Sequence, residues 1–277
     1  MRQIICGAGG FLGTNLRKYF GEVEVLPVEM LLDVAGMHEF LQGEPYNLYY
    51  LAAYGNLHGQ SDTREIYQVS VIKLLNLLEA TTGTQCNAFI TAGTTSEYGN
   101  KSVPMTEDLV LDPETFYGAA KAAATHLARV WAKRNGTSVV VFRPASITGV
   151  GEQPIHLIPT LIRSCLFKES IPFVSEPVHD YIDVSDVCSA IKLLADKAQF
   201  LKGQIFNVGT GVQTSNLRVK DMIESITKEK AHINLSAKIN PLNLSQVWIA
   251  DSSKLRALGW KPKVTLMESL KQMVRAV

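Results

Sequence analysis

The sequence predicts an α/β protein, a doubly wound parallel sheet in residues 1–150 followed by a smaller C-terminal lobe in residues 151–277. Three observations predict it. Short apolar runs alternate with helical patterns through the first half, as in strands joined by right-handed crossovers. A glycine-rich turn, Gly7-Ala-Gly-Gly10-Phe-Leu-Gly13, links the first apolar run to the first helical stretch. After Arg143-Pro144 the texture changes, and Pro144, Pro154, Pro159, Pro172 and Pro177 break the alternation.

The expected strands are Gln3–Cys6, Glu24–Val28, Leu48–Ala52, Ala88–Ala92 and Ser138–Phe142. Strands buried on both faces read as unbroken apolar runs, and Val139-Val-Val-Phe142 does so. Between them, helices are expected over Phe11–Phe20, Thr63–Ala80 and Pro113–Asn135. A later strand is expected over Gln204–Val208, before Gly209-Thr-Gly211. Shorter helices follow near Leu217–Thr227, Ser252–Leu258 and Leu266–Val274. Some of these later segments are expected to return to the main domain.

Composition narrows the class. The chain has 277 residues, 46% hydrophobic and 19% charged, as in ordinary globular proteins. A net charge of +1 without long runs of one sign argues against nucleic acid as a partner. No apolar run reaches the roughly 18 residues of a membrane span. The N-terminus lacks a signal-peptide layout, so a cytoplasmic location is expected. Cys6, Cys86, Cys165 and Cys188 are scattered, and no histidine has ligand spacing. Neither a disulfide framework nor a metal site is expected.

The glycine turn suits a dinucleotide. Gly7 permits a tight turn, Gly10 lets the backbone approach a pyrophosphate, and Gly13 lets the helix pack against the sheet. The helix start at Phe11 and Leu12 offers free N–H groups and a positive dipole end. The alternative is a ligand-free strand–helix turn. A P-loop is excluded, because no Gly-Lys-Ser/Thr follows. Glu29 is the nearest candidate for the acid that reads a ribose, and no Arg follows to read a 2′-phosphate. The expected cofactor is NAD or NADP.

Tyr117 and Lys121 lie at i and i+4 and share a helix face. A phenol has an ordinary pKa near 10, about three units too high for a base at neutral pH. A neighbouring ammonium favours the phenolate, and so does an oxidised nicotinamide. Tyr117 can then exchange a proton with a substrate hydroxyl or carbonyl oxygen. The alternative is a Tyr and a Lys on a helix surface. Upstream, Phe89-Ile-Thr-Ala-Gly-Thr-Thr-Ser-Glu-Tyr-Gly99 leaves the C-terminal end of a strand, where open α/β sheets bind ligands. Its hydroxyls can bond the reacting oxygen, or it is simply a Ser/Thr-rich turn.

Together these segments resemble the extended short-chain dehydrogenase/reductases of the NAD-dependent epimerase/dehydratase family. The resemblance also takes in Leu51-Ala-Ala53, Asn76-Leu-Leu-Glu-Ala80, Arg143-Pro144, His179-Asp-Tyr-Ile-Asp-Val-Ser-Asp186, Phe206-Asn-Val-Gly-Thr-Gly211 and Leu258-Gly-Trp-Lys-Pro262. It implies a Rossmann domain, a substrate lobe and, in most members, a nucleotide-activated sugar as substrate. Thr94, four positions before the Tyr98-Gly99 pair, matches the catalytic Ser/Thr. Tyr117 matches the catalytic tyrosine, and Lys121 the lysine that binds the nicotinamide ribose. Gly7, Gly10, Phe11, Leu12, Gly13, Leu51, Ala52, Ala53 and Pro144 are implied to line the cofactor. Asp33 resembles the acid that follows the third strand and touches the adenine. Thr94, Thr95, Ser146 and His179 are implied to touch substrate.

The departures matter too. Family dehydratases carry Asp and Glu directly after the catalytic Thr, where this chain has Thr95 and Ser96, so 4,6-dehydration is disfavoured. Glu97 is one position off and is expected to face elsewhere. Ser70 replaces a family Asn. His179-Asp180 stands where nucleotide-sugar members usually show Arg-Asp, and Pro241-Leu-Asn-Leu-Ser-Gln246 where they often carry an Arg. The expected activity is NAD(P)H-dependent reduction of a 4-keto group on a nucleotide-linked deoxysugar. Alternatives are a nucleotide-sugar 4-epimerase, a reductase of a non-sugar carbonyl, and a cofactor-binding protein without catalysis. A homodimer is expected through the helices near residues 63–80 and 113–135.

Overall fold

The computed structural model describes residues 1–57, 59–234 and 246–277. In chain order the first half runs β1 (Arg2–Cys6), α1 (Phe11–Phe20), β2 (Glu24–Leu26), α2 (Val34–Phe40), β3 (Tyr46–Tyr50), α3 (Thr63–Tyr67), α4 (Lys73–Ala80), β4 (Cys86–Ala92), α5 (Phe116–Asn135) and β5 (Val139–Pro144). The second half runs β6 (Ser146–Thr148), α6 (Leu157–Phe167), β7 (Ile171–Pro172), β8 (Val178–Asp183), α7 (Val184–Asp196), β9 (Ile205–Val208), β10 (Gln213–Ser215), α8 (Asn216–Thr227), β11 (Ile233–Asn234), α9 (Ser253–Arg256) and α10 (Leu266–Arg275).

The chain packs as two compact units. The first comprises Met1–Gly99, Glu107–Pro144 and Cys188–Asn207. Its six-stranded sheet has the order β2-β1-β3-β4-β5-β9. The pairings from β2 through β5 are all parallel. Parallel neighbours require crossovers, and the α-helical stretches supply them. The core follows from the apolar strands, with Ile4, Leu48, Phe89 and Val141 buried. The strand order reverses between β1 and β3, and such a switch point opens a crevice at the strand C-termini.

Local chemistry sets the helix that matters most. Thr115 caps α5 by accepting the Gly118 N–H at 3.0 Å. Gly136, left-handed at φ 72°, ends it, with Lys133 and Arg134 at its negative end.

Several expectations are corrected. Asp33 follows the second strand, not the third. Pro27 stops β2, the chain turns at once into a 3₁₀ segment over Val28–Leu32, and Asp33 then caps α2 through Gly36 N–H at 2.9 Å. The helix expected over Thr63–Ala80 is broken by a π-helical turn at Gln68–Ile72. The third strand ends at Tyr50, so Leu51 and Ala52 belong to the loop after it. Helices α2, α6 and α7 and strand β8 carried no expectation of their own.

The second unit comprises Asn100–Thr106, Ala145–Val187 and Val208–Val277. It holds a three-stranded sheet, β10-β8-β6, and the β7–β11 pair. Leu161, Ile162, Tyr181, Val219, Ile223 and Leu270 form its core. Buried Asp180 ties it together, accepting the N–H groups of Thr210, Gly211 and Ala250 at 3.0–3.3 Å. Of the late loop, Pro241–Ser245 lie outside the described residues. Among the described residues no helix is long and apolar enough to cross a membrane.

Candidate active site

The glycine turn sits at the switch point of the sheet. The Leu51 N–H donates to the Cys6 carbonyl at 2.9 Å, which joins the ends of β1 and β3. Gly7 has φ 88°, and a Cβ there would lie 2.6 Å from Ala52 N. A Cβ on Gly13 would lie 2.2 Å from the Gly7 carbonyl oxygen, so α1 docks directly on the turn. At Gly9 nothing lies within 4 Å of an added Cβ, and at Gly10 only the Gly7 carbonyl approaches, at 3.5 Å. Two glycines are thus demanded by the fold, and two leave open space over the start of a helix. Gly10 is the N-cap and offers no side chain to the first N–H groups of α1, which suits an anion. This donor set and cradle fit a dinucleotide pyrophosphate; Phe11 and Leu12 open α1, and the Ala52 backbone packs on Gly7.

The other cofactor candidates are more scattered. Pro144 closes β5. Asp33 and Glu29 are exposed on the segment after β2.

Thr94, Tyr117 and Lys121 come together. Strand β4 delivers Thr94 to a 3₁₀ turn over Thr95–Glu97, and α5 delivers the other two. A Cβ on Gly118 would lie 2.5 Å from the Ser96 carbonyl oxygen, so α5 can approach the Thr94 turn only with glycine there. The Thr94 hydroxyl donates to Ser96 Oγ at 3.3 Å and lies beside the Tyr117 phenol. A Cβ on Gly55, in the loop after β3, would lie 3.5 Å from the Tyr117 ring. Lys121 is buried, donates to the Ala92 carbonyl at 3.0 Å, and has its ammonium 5.9 Å from the Tyr117 ring centre.

Electrostatics sets the protonation states. Burial pushes the Tyr117 phenol well above its ordinary value; Glu97 adds to the rise and Thr94 opposes it. Burial lowers Lys121 to about 8, against an upward pull from Glu97. At neutral pH the pair is a phenol beside an ammonium.

Glu97 is fully buried behind the Thr94 turn. Its carboxylate accepts Arg143 Nε at 2.8 Å and Nη2 at 2.7 Å, and the Thr94 N–H at 2.9 Å. The sequence reasoning missed this pair. Its one signal was a charge closing an apolar run, Val139-Val-Val-Phe-Arg143. Thr95 is buried. Ser70 lies in the π-helical turn, with its buried hydroxyl lacking a protein partner. Ser146 and His179 belong to the second unit, where they face each other at 3.3 Å. Desolvation lowers His179 to about 4, so it is neutral at physiological pH.

Residues 3–209 match the NAD dependent epimerase/dehydratase family. The chain belongs to that family. Its cofactor is accordingly NAD or NADP. Among its relatives, the low-salt glycan biosynthesis protein Agl12 of Haloferax volcanii is 27% identical over 202 residues, 72% of this chain and 64% of that one. The chain thus spans slightly under two thirds of that relative. The GDP-6-deoxy-D-mannose reductase of Pseudomonas aeruginosa is 24% identical, across 99% of this chain and 96% of the reductase. In fold, the chain is similar to the UDP-glucuronic acid 4-epimerase of Bacillus cereus, solved with UDP-glucuronic acid and NAD. The TM-score is 0.89 at 23% identity, covering 100% and 98% of the two chains.

Proposed function

We propose that this family member is a cytoplasmic NAD(P)H-dependent reductase acting on the 4-keto group of a nucleotide-linked deoxysugar. The observation that carries the reading is the convergence of Thr94, Tyr117 and buried Lys121 where α5 meets the Thr94 turn, with Tyr117 a protonated phenol at neutral pH. A phenol held protonated at neutral pH is poised to give a proton. The substrate oxygen takes it from Tyr117 while Thr94 hydrogen-bonds the same oxygen. Lys121 would hold the nicotinamide ribose, and Gly9, Gly10 and the N–H groups opening α1 would hold the pyrophosphate. The reduced nicotinamide, when bound, supplies the hydride.

Thr95 and Ser96 carry hydroxyls where dehydration needs two acids, and neither titrates near neutral pH. Similarity along nearly the whole length to a sugar-nucleotide reductase supports the same direction. His179 and Ser146 are read as neutral substrate contacts, with no cation at the position where relatives usually place one.

The test is an absorbance assay with NADH or NADPH and GDP- or dTDP-linked 4-keto-6-deoxyhexoses. The expected result is stoichiometric oxidation of the nicotinamide. Equilibration of two 4-epimers with no net absorbance change would replace this reading with the epimerase one, which uses the same three residues. Release of water from C5–C6 would contradict both.

A further inference from the structure

Lys121 is an ammonium taken almost wholly out of water, and its hydrogen-bond partner, the Ala92 carbonyl, is neutral. A buried cation in that setting needs a counter-charge, or it surrenders its proton. The groups around it are the Ala92 carbonyl from β4, the Tyr117 ring from its own helix, and Glu97 of the 3₁₀ turn, whose carboxylate packs on Gly93, the neighbour of Ala92, and pulls the Lys121 proton affinity upward. Glu97 is the only carboxylate among them.

The position of Glu97 is held from several sides. Gly93 directly follows Ala92, and a Cβ there would fall 2.4 Å from Glu97 Oε1, so the carboxylate lies flat against the bare Gly93 backbone. Oε1 accepts the Thr94 N–H, while Oε2 takes both bonds from Arg143. Arg143 is itself braced. Its Nη1 donates to the Tyr98 hydroxyl at 2.9 Å, and its guanidinium stacks 4.7 Å from the Tyr98 ring centre. The Tyr98 hydroxyl donates to Asn207 Oδ1 at 2.8 Å. Both Glu97 oxygens act as acceptors, Oε1 from the Thr94 N–H and Oε2 from the permanently charged Arg143, so the pair is ionic despite the burial that raises the Glu97 carboxyl. The result is a fixed dipole with its negative end toward Lys121 and Tyr117.

We propose that Glu97 is a positioning residue for the Lys121–Tyr117 pair: clamped by Arg143, its carboxylate fixes the main chain of the Thr94 turn and serves as the counter-charge of the buried Lys121 ammonium. The proposal rests on reading these residues as the working site. Its test needs neither substrate nor cofactor, so it can fail independently of the reductase assignment.

The experiment follows the Lys121 amine by NMR in the full chain carrying ¹³C-labelled lysine, with Lys121→Met assigning the signal. In the wild type the midpoint is expected near 8. Glu97→Gln keeps the shape but leaves the Arg143 charge uncompensated, so the midpoint should fall by roughly one unit or more. In the double variant Glu97→Gln/Arg143→Gln both charges are gone, and the midpoint should rise again above that of the single variant. A purely structural pair would show no such reversal. An unmoved midpoint in Glu97→Gln overturns the proposal, and so does a double variant titrating no higher than the single one. If neither variant folds, by loss of near-UV circular dichroism, the pair serves the fold alone and the proposal also falls.

Discussion

At Gly10 and Gly13 one motif holds two different physical demands. An added Cβ at Gly10 meets only ordinary contact distance, and its φ of −74° suits any residue. Gly10→Val should therefore leave the fold standing while its side chain fills the pyrophosphate cradle. The expected outcome is a near-wild-type thermal transition with NAD binding lost by calorimetric titration; normal titration would remove the phosphates from this turn. Gly13 has no such freedom, with the Gly7 carbonyl at 2.2 Å. The residues of this site were legible in sequence because spacing encodes them. Three glycines on a strand–helix junction, Tyr and Lys one helical turn apart, and Thr four before Tyr-Gly are short-range patterns. Glu97 and Arg143 lie 46 positions apart, and no local period joins them. Sequence showed that Glu97 is out of place for a dehydratase acid; only the fold shows what it faces instead.

At the scale of elements, the crossover alternation was legible where helices are amphipathic and turns carry glycine. Helix α1 matches its expected span, Phe11–Phe20. Helix α6 escaped because it is apolar on most faces and carries Pro159, tolerated in its first turn where the missing N–H has no partner to lose. Strand β8 runs directly into α7 with no breaker between Asp183 and Val184, so that pair read as one family motif rather than as two elements. The π-helical turn at Gln68–Ile72 was hidden for another reason. It preserves the apolar pattern on either side while inserting one residue, and such insertions often mark functional segments. Ser70 lies within it, and α5, the helix of Tyr117, packs alongside.

At the scale of the molecule, the apolar surface of the first unit points to self-association. On α5, Ala123, Leu127 and Val130 fall at i, i+4 and i+7; Ala123 and Val130 are exposed and Leu127 is half-buried. Tyr67 and Ile72 are also exposed, on the helical segment packed against α5. We infer a homodimer through this face. Sedimentation at micromolar concentration should show a dimer that Val130→Glu converts to monomer; a wild-type monomer would sink the inference. The central claim, however, concerns Tyr117 as the proton donor of a hydride-transfer enzyme. Single-turnover mixing with NADH deuterated at the transferable position and a 4-keto-6-deoxy sugar nucleotide tests it most directly, read by mass spectrometry of the sugar. The account predicts one deuterium at C4 in the wild type, and a rate at least about a hundredfold lower in Tyr117→Phe with cofactor binding retained. A product without deuterium, or a Tyr117→Phe rate close to wild type, would contradict it.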